Sequence, residues 1–445
     1  MTEGSIAKKL IMFALPLMLS NLLQTVYNMV DMIVIGQFVG KESLSAVSIG
    51  GEILMALTFV SMGLCMAGQI LISQYVGAQN KEQIKKTIGT LFTVVFACGI
   101  ALTVICVFLV DPILDLLNTP AEAWSETWDY VFICILGLVF IYGYNIVGAI
   151  LRGMGDSKHP LIFVAIAAGA NLVLDLVFVV VFKWQAMGTA LATVMGQAIS
   201  FIFSLVYLYR HKAEFGFDFK LASFKPDKAV CGVLVKLGIP MCLQAAAISI
   251  SMICVSSFIN SYGVVAVAVT GVGNRLSNVC SVVCMAISTA CSSVIGQCVG
   301  AKKYERVPKT LLIGFIICFA FIFILAVLMV LWPEKIFGIF NSEPEVIEMA
   351  LTYVTCAVFT FIGFALRSPM FGLINGCGSP GLNMAVGMID GVVCRIGLSI
   401  LLGVVFELGI KGFWFGSCFA GYAPFIIGLI FFVSGKWKKV KLIKE

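Results

Sequence analysis

From Leu10 to Val433 the chain alternates long apolar runs with short polar or Gly/Pro-containing breaks. Many runs reach twenty residues, enough to cross a hydrocarbon core of roughly 30 Å as a helix. Reading the breaks as loops predicts twelve spans, at about 9–39, 43–74, 87–117, 128–151, 160–182, 187–209, 230–261, 265–298, 310–340, 346–374, 382–405 and 411–435. Spans longer than 25 residues must tilt or protrude into water. A few polar residues interrupt this pattern at helical spacing. In NLLQTVYNMVDMIVIG (21–36), Gln24, Tyr27, Asn28 and Asp31 follow a 3–1–3 pattern and share one stripe. Asn171 and Asp175 are i,i+4 neighbours on the fifth span, and Thr189, Thr193 and Gln197 form a stripe on the sixth.

The two halves of the chain repeat. ALPLMLSNL around Pro16 is answered by GIPMCLQAA around Pro240, and SQYVGAQ by GQCVGAK. LRGMGDS maps to INGCGSP, Asn118 to Asn341 and Gly188 to Gly412, all at an offset of about 223–224 residues. Repetition at constant offset marks repeated structural units. Each half holds six spans, so both enter the membrane from the same side as parallel repeats. The expectation is an all-α membrane protein with two pseudo-symmetric six-helix lobes. The N-terminal lobe is placed at 1–209, an inter-lobe linker at 210–229, the C-terminal lobe at 230–435 and a basic tail at 436–445. Two similar lobes point to a transporter that rocks between inward- and outward-facing states.

Composition agrees: 60% of the 445 residues are hydrophobic and only 12% charged, with a mean hydropathy of +1.06. A soluble domain would carry about twice that charged fraction. The first apolar run is too long for a signal-peptide core and is read as a span. Of 29 Lys and Arg, 22 fall on the side of the termini, four lie opposite and three (Arg275, Arg367, Arg395) lie within spans. This bias places both termini in the cytoplasm of a plasma-membrane protein. The net charge of +6 sits mainly in those loops and suggests lipid headgroups, not nucleic acid, as its partner. The 16 cysteines form no CxxC pair; Cys280, Cys284, Cys291 and Cys298 share a helix face and read as small core hydrophobes before a soft-metal site. A monomer without an organic cofactor is expected.

A carboxylate at membrane depth costs about 2.5–3.5 kcal/mol on insertion scales and faces the bundle interior. Two compensations are open for Asp31 and Asp175: one carboxyl holds a proton, or the pair with Asn171 and Thr193 supplies hard oxygens to a small cation such as Na⁺. Pro16, Pro240, Gly36 and Gly40 read as bend and close-contact positions, with Pro16 a candidate hinge. Met and Phe side chains offer a deformable wall for varied ligands. The C-terminal lobe carries Arg367 and Arg395 opposed chiefly by Asp390; Arg395 falls opposite Asn171 in the repeat, and Arg275 answers Glu52, which suggests a Glu52–Arg275 gate. The arginines also admit an anionic or phosphate-bearing cargo. An enzyme is not expected, since only His159 and His211 are present and no HExxH, P-loop or nucleophile–base motif occurs.

VDMIVIGQFVG in the first span, QYVGA ending the second, LRGMGDSKHP after the fourth and the repeated GIP…QCVGA resemble the multidrug and toxic compound extrusion (MATE) transporters over essentially the whole chain. The resemblance implies cation-coupled antiport of organic compounds out of the cytoplasm. LGIPMCLQAAAISISMICVSSFINSY lacks the seventh-span carboxylate of one branch, so the chain is similar to the branch with its cation site in the N-terminal lobe. That likeness implies Asp31, Asn171, Asp175 and Thr193 as the coupling set, with Tyr27 and Asn145 lining the pocket and Gln24, Asn28 and Gln197 as further cavity candidates. The alternative is a flippase of a lipid-linked saccharide, from the same wider superfamily.

Overall fold

A computed structural model describes residues 1–340 and 343–440, apart from the side chain of Lys41; the repeat anchor Asn341 and the tail residues 441–445 lie outside the described residues. The chain is helical throughout. The first half contains α1 (Ile6–Phe38), α2 (Lys41–Gly77), α3 (Lys81–Leu116), α4 (Trp124–Leu136), α5 (Leu138–Met154), α6 (Lys158–Asp175), α7 (Gln185–Arg210) and a single turn, α8 (Lys212–Phe215). The second contains α9 (Lys228–Asn260), α10 (Val264–Gly300), α11 (Arg306–Leu331), short α12 (Pro333–Gly338), α13 (Pro344–Cys377), α14 (Pro380–Gly387), short α15 (Gly397–Ile400), α16 (Gly409–Ala420) and α17 (Ala423–Val433). Eleven of the described helical stretches are long and apolar enough to span a membrane, and the bent pair α4–α5, with a 47° break at Gly137, makes a twelfth.

The repeat seen in the sequence recurs as side-chain contacts. Gly50 faces the Tyr130 ring and Gly273 the Tyr353 ring. Gly153 lies against the Gln69 carbonyl and Ile72, Gly376 against the Ser292 carbonyl and Ile295. Gly188 packs on Phe178 and Gly412 on Leu402. Every one of these pairs is related by an offset of 223 or 224, so the helices within each lobe cross in the same register. Removing Cβ at these points lets the helices approach closely, as packing between membrane helices requires.

Two features were not visible in hydropathy. The α6 span continues as a π-wound segment, Leu176–Val181, and α14 continues as Met388–Ile396 and, after α15, Leu401–Val405. π-winding is rare and concentrates at functional positions. The compact units also divide differently from the expected lobes: one holds Leu15–Ile239, the other Met1–Ala14 and the chain from Pro240 onward. Both boundaries fall inside continuous helices next to Pro16 and Pro240, which lack the N–H for an i→i−4 bond.

Residues 210–229, expected as an inter-lobe linker, pack against α3. Phe217 is fully buried, and its ring and that of Phe224 pack on Phe92 at 6.4 and 5.7 Å. The Ser223 carbonyl runs across Gly89, where no Cβ fits. Thr93 Oγ1 donates to the Phe224 carbonyl at 2.5 Å, and the Asp227 N–H donates to Thr90 Oγ1 at 3.0 Å. Lys85 Nζ reaches Asp218 at 2.8 Å, and Ser223 Oγ donates to the same carboxylate at 2.5 Å. At the other junction, Lys303 Nζ meets Glu3 at 3.2 Å and Arg306 Nη2 donates to the Gly4 carbonyl at 2.9 Å, holding the start of the chain in the C-terminal unit.

Two outcomes test this packing. Gly50→Val and Gly273→Val each drive a side chain into a tyrosine ring, so each is expected to lower stability by about 1–3 kcal/mol, read as a lower thermal midpoint in detergent. The bonds from Lys85 and Ser223 hold the Asp218 carboxyl well below the ordinary carboxylate range. A depressed folded-state value favours docking above the unfolded value, near pH 3.9, and this contribution fades as pH falls through the folded value. Asp218→Asn is accordingly expected to speed proteolysis within 217–227 at pH 7, with the difference from wild type shrinking in acid.

Candidate functional site

In the N-terminal unit three helices bring the predicted polar residues together. Asp31 comes from α1, Asn171 and Asp175 from the end of α6, and Thr189, Thr193 and Gln197 from α7. Asp31 is 8% exposed, Asn171 3% and Asp175 1%. In the amide orientation that satisfies both neighbours, Asn171 donates to Asp31 Oδ1 at 2.8 Å and accepts from the Thr193 N–H at 3.3 Å. The Asp175 carboxyl lies beside that of Asp31. Neither Asp175 oxygen, nor Thr189 Oγ1, nor Gln197 Oε1 has a hydrogen-bond partner of ordinary geometry. Two facing carboxyl groups hydrogen-bond only if one carries a proton, and buried carboxylate oxygens are rarely left unmatched. The donor set is hard oxygen throughout and suits either a proton or a small cation.

The rest of the α1 stripe continues from this cluster. The Tyr27 hydroxyl sits beside Gln24 and Gln197. Gln24 and Asn28 are exposed, as cavity-facing groups would be. Asn145, on α5, donates from Nδ2 to Ser61 Oγ on α2 at 3.3 Å. Glu52, in the N-terminal unit, is exposed. Arg275, in the C-terminal unit, sets its guanidinium 5.9 Å from the Phe340 ring.

The C-terminal unit has its own buried charge cluster. Asp390 is fully buried on the π-wound segment after α14; its Oδ1 receives a bond from Arg395 Nη2 at 2.9 Å. Residues five apart lie about 140° apart on an α-helix, so the π-winding is what sets this pair on one face. Arg395 Nη1 also donates to Ser417 Oγ on α16 at 3.0 Å. Arg367 on α13 places Nη1 4.0 Å from Asp390 Oδ2 and stacks on Phe364 at 4.4 Å. Ser417 escaped the sequence reading, although the 224-residue offset from Thr193 points to it. Cys280, Cys284, Cys291 and Cys298 are buried along α10, and among the described residues no three His, Cys, Asp or Glu side chains gather as a metal site would require.

Two pseudo-repeated helical lobes, one with an unsatisfied acidic cluster at membrane depth, define a membrane transporter. The chain belongs to the MatE family, whose model matches residues 16–177 and again 240–401, one copy per lobe. It is 28% identical to the probable multidrug resistance protein YpnP of Bacillus subtilis, over 100% of this chain and 98% of that one. It is 26% identical to the multidrug export protein MepA of Staphylococcus haemolyticus, over 87% and 86%. A solved outward-facing MATE transporter of the MOP superfamily shares the fold with a TM-score of 0.89 at 21% identity, over 99% of this chain and 98% of that chain.

Removing one partner of a buried ion cluster costs about 3–5 kcal/mol, because the remaining charge is stranded. Asp390→Asn leaves two guanidinium groups without a counter-charge and is expected to destabilise by that amount, checked by thermal unfolding in detergent against Asp31→Asn, which removes a buried negative charge and should not destabilise.

Proposed function

We propose that this transporter exports organic, chiefly cationic or amphipathic, compounds by antiport against H⁺ or Na⁺, with Asp31 and Asp175 as the coupling pair. The observation that carries the reading is the pair of unmatched Asp175 oxygens beside the Asp31 carboxyl at membrane depth. An unpaired carboxylate there is costly, so the site favours a bound positive charge, and a site favouring a positive charge responds to an ion gradient. Asn171 holds Asp31 in place while its carbonyl is tied to α7, and Thr189, Thr193 and Gln197 complete the oxygen-rich wall. Taking up the ion from outside and releasing it inside drives the reverse exchange of cargo. One charge falling through 100 mV releases about 2.3 kcal/mol, enough for about 50-fold accumulation. Tyr27, Gln24 and Asn28 extend the polar stripe toward the cargo, and the exposed Met29 and Met32 on the same helix give a repackable apolar surface. In this reading both termini face the cytoplasm of the plasma membrane and the chain works as a monomer.

The names of the relatives, multidrug resistance and multidrug export proteins, support efflux. A second reading takes its support from Arg367 and Arg395, which outnumber Asp390 in the C-terminal unit: an anionic cargo, or the phosphate of a lipid-linked saccharide. Guanidinium groups match such oxyanions bidentately.

Proteoliposomes loaded with a fluorescent cation and given a pH or Na⁺ gradient decide the matter. Wild type should extrude the dye, and Asp31→Asn and Asp175→Asn should each lose at least about tenfold in gradient-driven rate, the scale of one missing charge interaction. Undiminished efflux in either variant removes that residue from the coupling step. Extrusion of a fluorescent anion in place of the cation favours the second reading.

A further inference from the structure

The repeat places an ion-type cluster in one lobe and a different arrangement at the matching position of the other. Gly188 on Phe178 and Gly412 on Leu402 show that α7 meets the α6 span in the same register as α16 meets the α14 span. The 224-residue offset then carries Asn171 to Arg395, Asp175 to Ser399, Thr193 to Ser417 and Asp31 to Val255. The cross-helix link is kept: Asn171 binds the Thr193 backbone, and Arg395 binds Ser417 at 3.0 Å. The charges are not kept. Both carboxylates of the N-terminal site are absent from the C-terminal equivalent, where Val255 is buried and Ser399 donates to the Phe413 carbonyl at 3.4 Å. A guanidinium stands at this position, balanced by Asp390 from its own helix.

We infer that Arg395 is a tethered cation that takes the place of the exchangeable ion in the C-terminal lobe, so that only the N-terminal lobe responds to the coupling ion. The inference rests on reading Asp31 and Asp175 as the coupling pair. A buried ion pair adds little stability compared with well-packed apolar residues, so stability alone gives no reason to keep one on a π-wound segment. Excluding a mobile cation does. The charged and titratable groups around Asp390 are Arg367, Arg395 and Cys394, with Cys284 near Arg367 and Cys418 near Arg395. Two guanidinium groups against one carboxylate leave a net positive charge, which repels a mobile cation. Arg395 is thus a specificity-determining residue: it confines ion binding to one lobe and sets one ion site per chain.

Hydrogen exchange on the reconstituted full chain reads each lobe separately. Na⁺ is added at fixed pH, and in a second series pH is stepped with K⁺ as the only salt cation. Exchange is compared in peptides from 158–181 and 380–405 after correction for the intrinsic pH dependence. In wild type, one of the two probes should slow exchange in 158–181 several-fold while 380–405 stays unchanged under both. Arg367→Gln/Arg395→Asn leaves Asp390 without a counter-charge beside Ser399 and Ser417, and exchange in 380–405 should then become dependent on Na⁺ or pH. A merely structural arginine predicts faster exchange that ignores both probes. Arg395→Lys keeps the tethered charge and should leave 380–405 as insensitive as in wild type, a control that holds even where the double variant fails to fold. An ion response in 380–405 of wild type or Arg395→Lys overturns the inference, as does a folded double variant that ignores both probes. No response in 158–181 of wild type overturns the coupling reading beneath it, a distinct and recognisable result.

Discussion

The negative charge that α1 and α6 bring to membrane depth governs how the N-terminal lobe is built. Water is absent there, and every polar atom needs a partner from the protein or from something the protein binds. Asn171 meets that demand for Asp31 and ties α6 to α7 with its other end. Asp175 is left beside it with both oxygens unmatched, next to the Asp31 carboxyl and Thr189. On the coupling reading proposed above, the lobe has two states, one with a positive charge among its oxygens and one without, and an ion that binds one state better than the other shifts the balance between them.

The C-terminal lobe solves the same problem with covalent means. Its positive charge arrives on a side chain, its carboxylate lies on the same helix, and the π-winding of Met388–Ile396 brings the two face to face. The two lobes share contacts as specific as a glycine against one tyrosine ring, yet differ in the charged residues set at matching positions. Duplication supplied the scaffold twice; the polar residues set on it then diverged.

Much of this was legible in the sequence because apolar length and polar residues at helical spacing are local quantities, and the repeat shows directly as a constant offset. The twelve spans, with α4–α5 as one bent crossing, and the polar stripe on each helix follow from them, while the grouping of Asp31, Asn171, Asp175 and Thr193 into one set came from the family resemblance. Asn145 pairs with Ser61 on α2, a partnership between helices that only their packing determines. The π-wound segments were hidden for another reason. A single added residue per turn leaves hydropathy unchanged, so LVFVVV reads the same in either winding. The strap at 210–229 looked like a linker because it is basic, whereas Phe217 and Phe224, too few to register as a run, fasten it to α3.

The first helix begins in one unit and ends in the other, and so does α9. During synthesis this has a consequence of timing. When the ribosome has finished residue 239, the opening segment Met1–Ala14 still lacks the half of the protein it belongs to, and Lys303 and Arg306, which fasten it, are some sixty residues from being made. The unit Leu15–Ile239 is then fully synthesised, while the leading segment waits at the membrane for partners still to come.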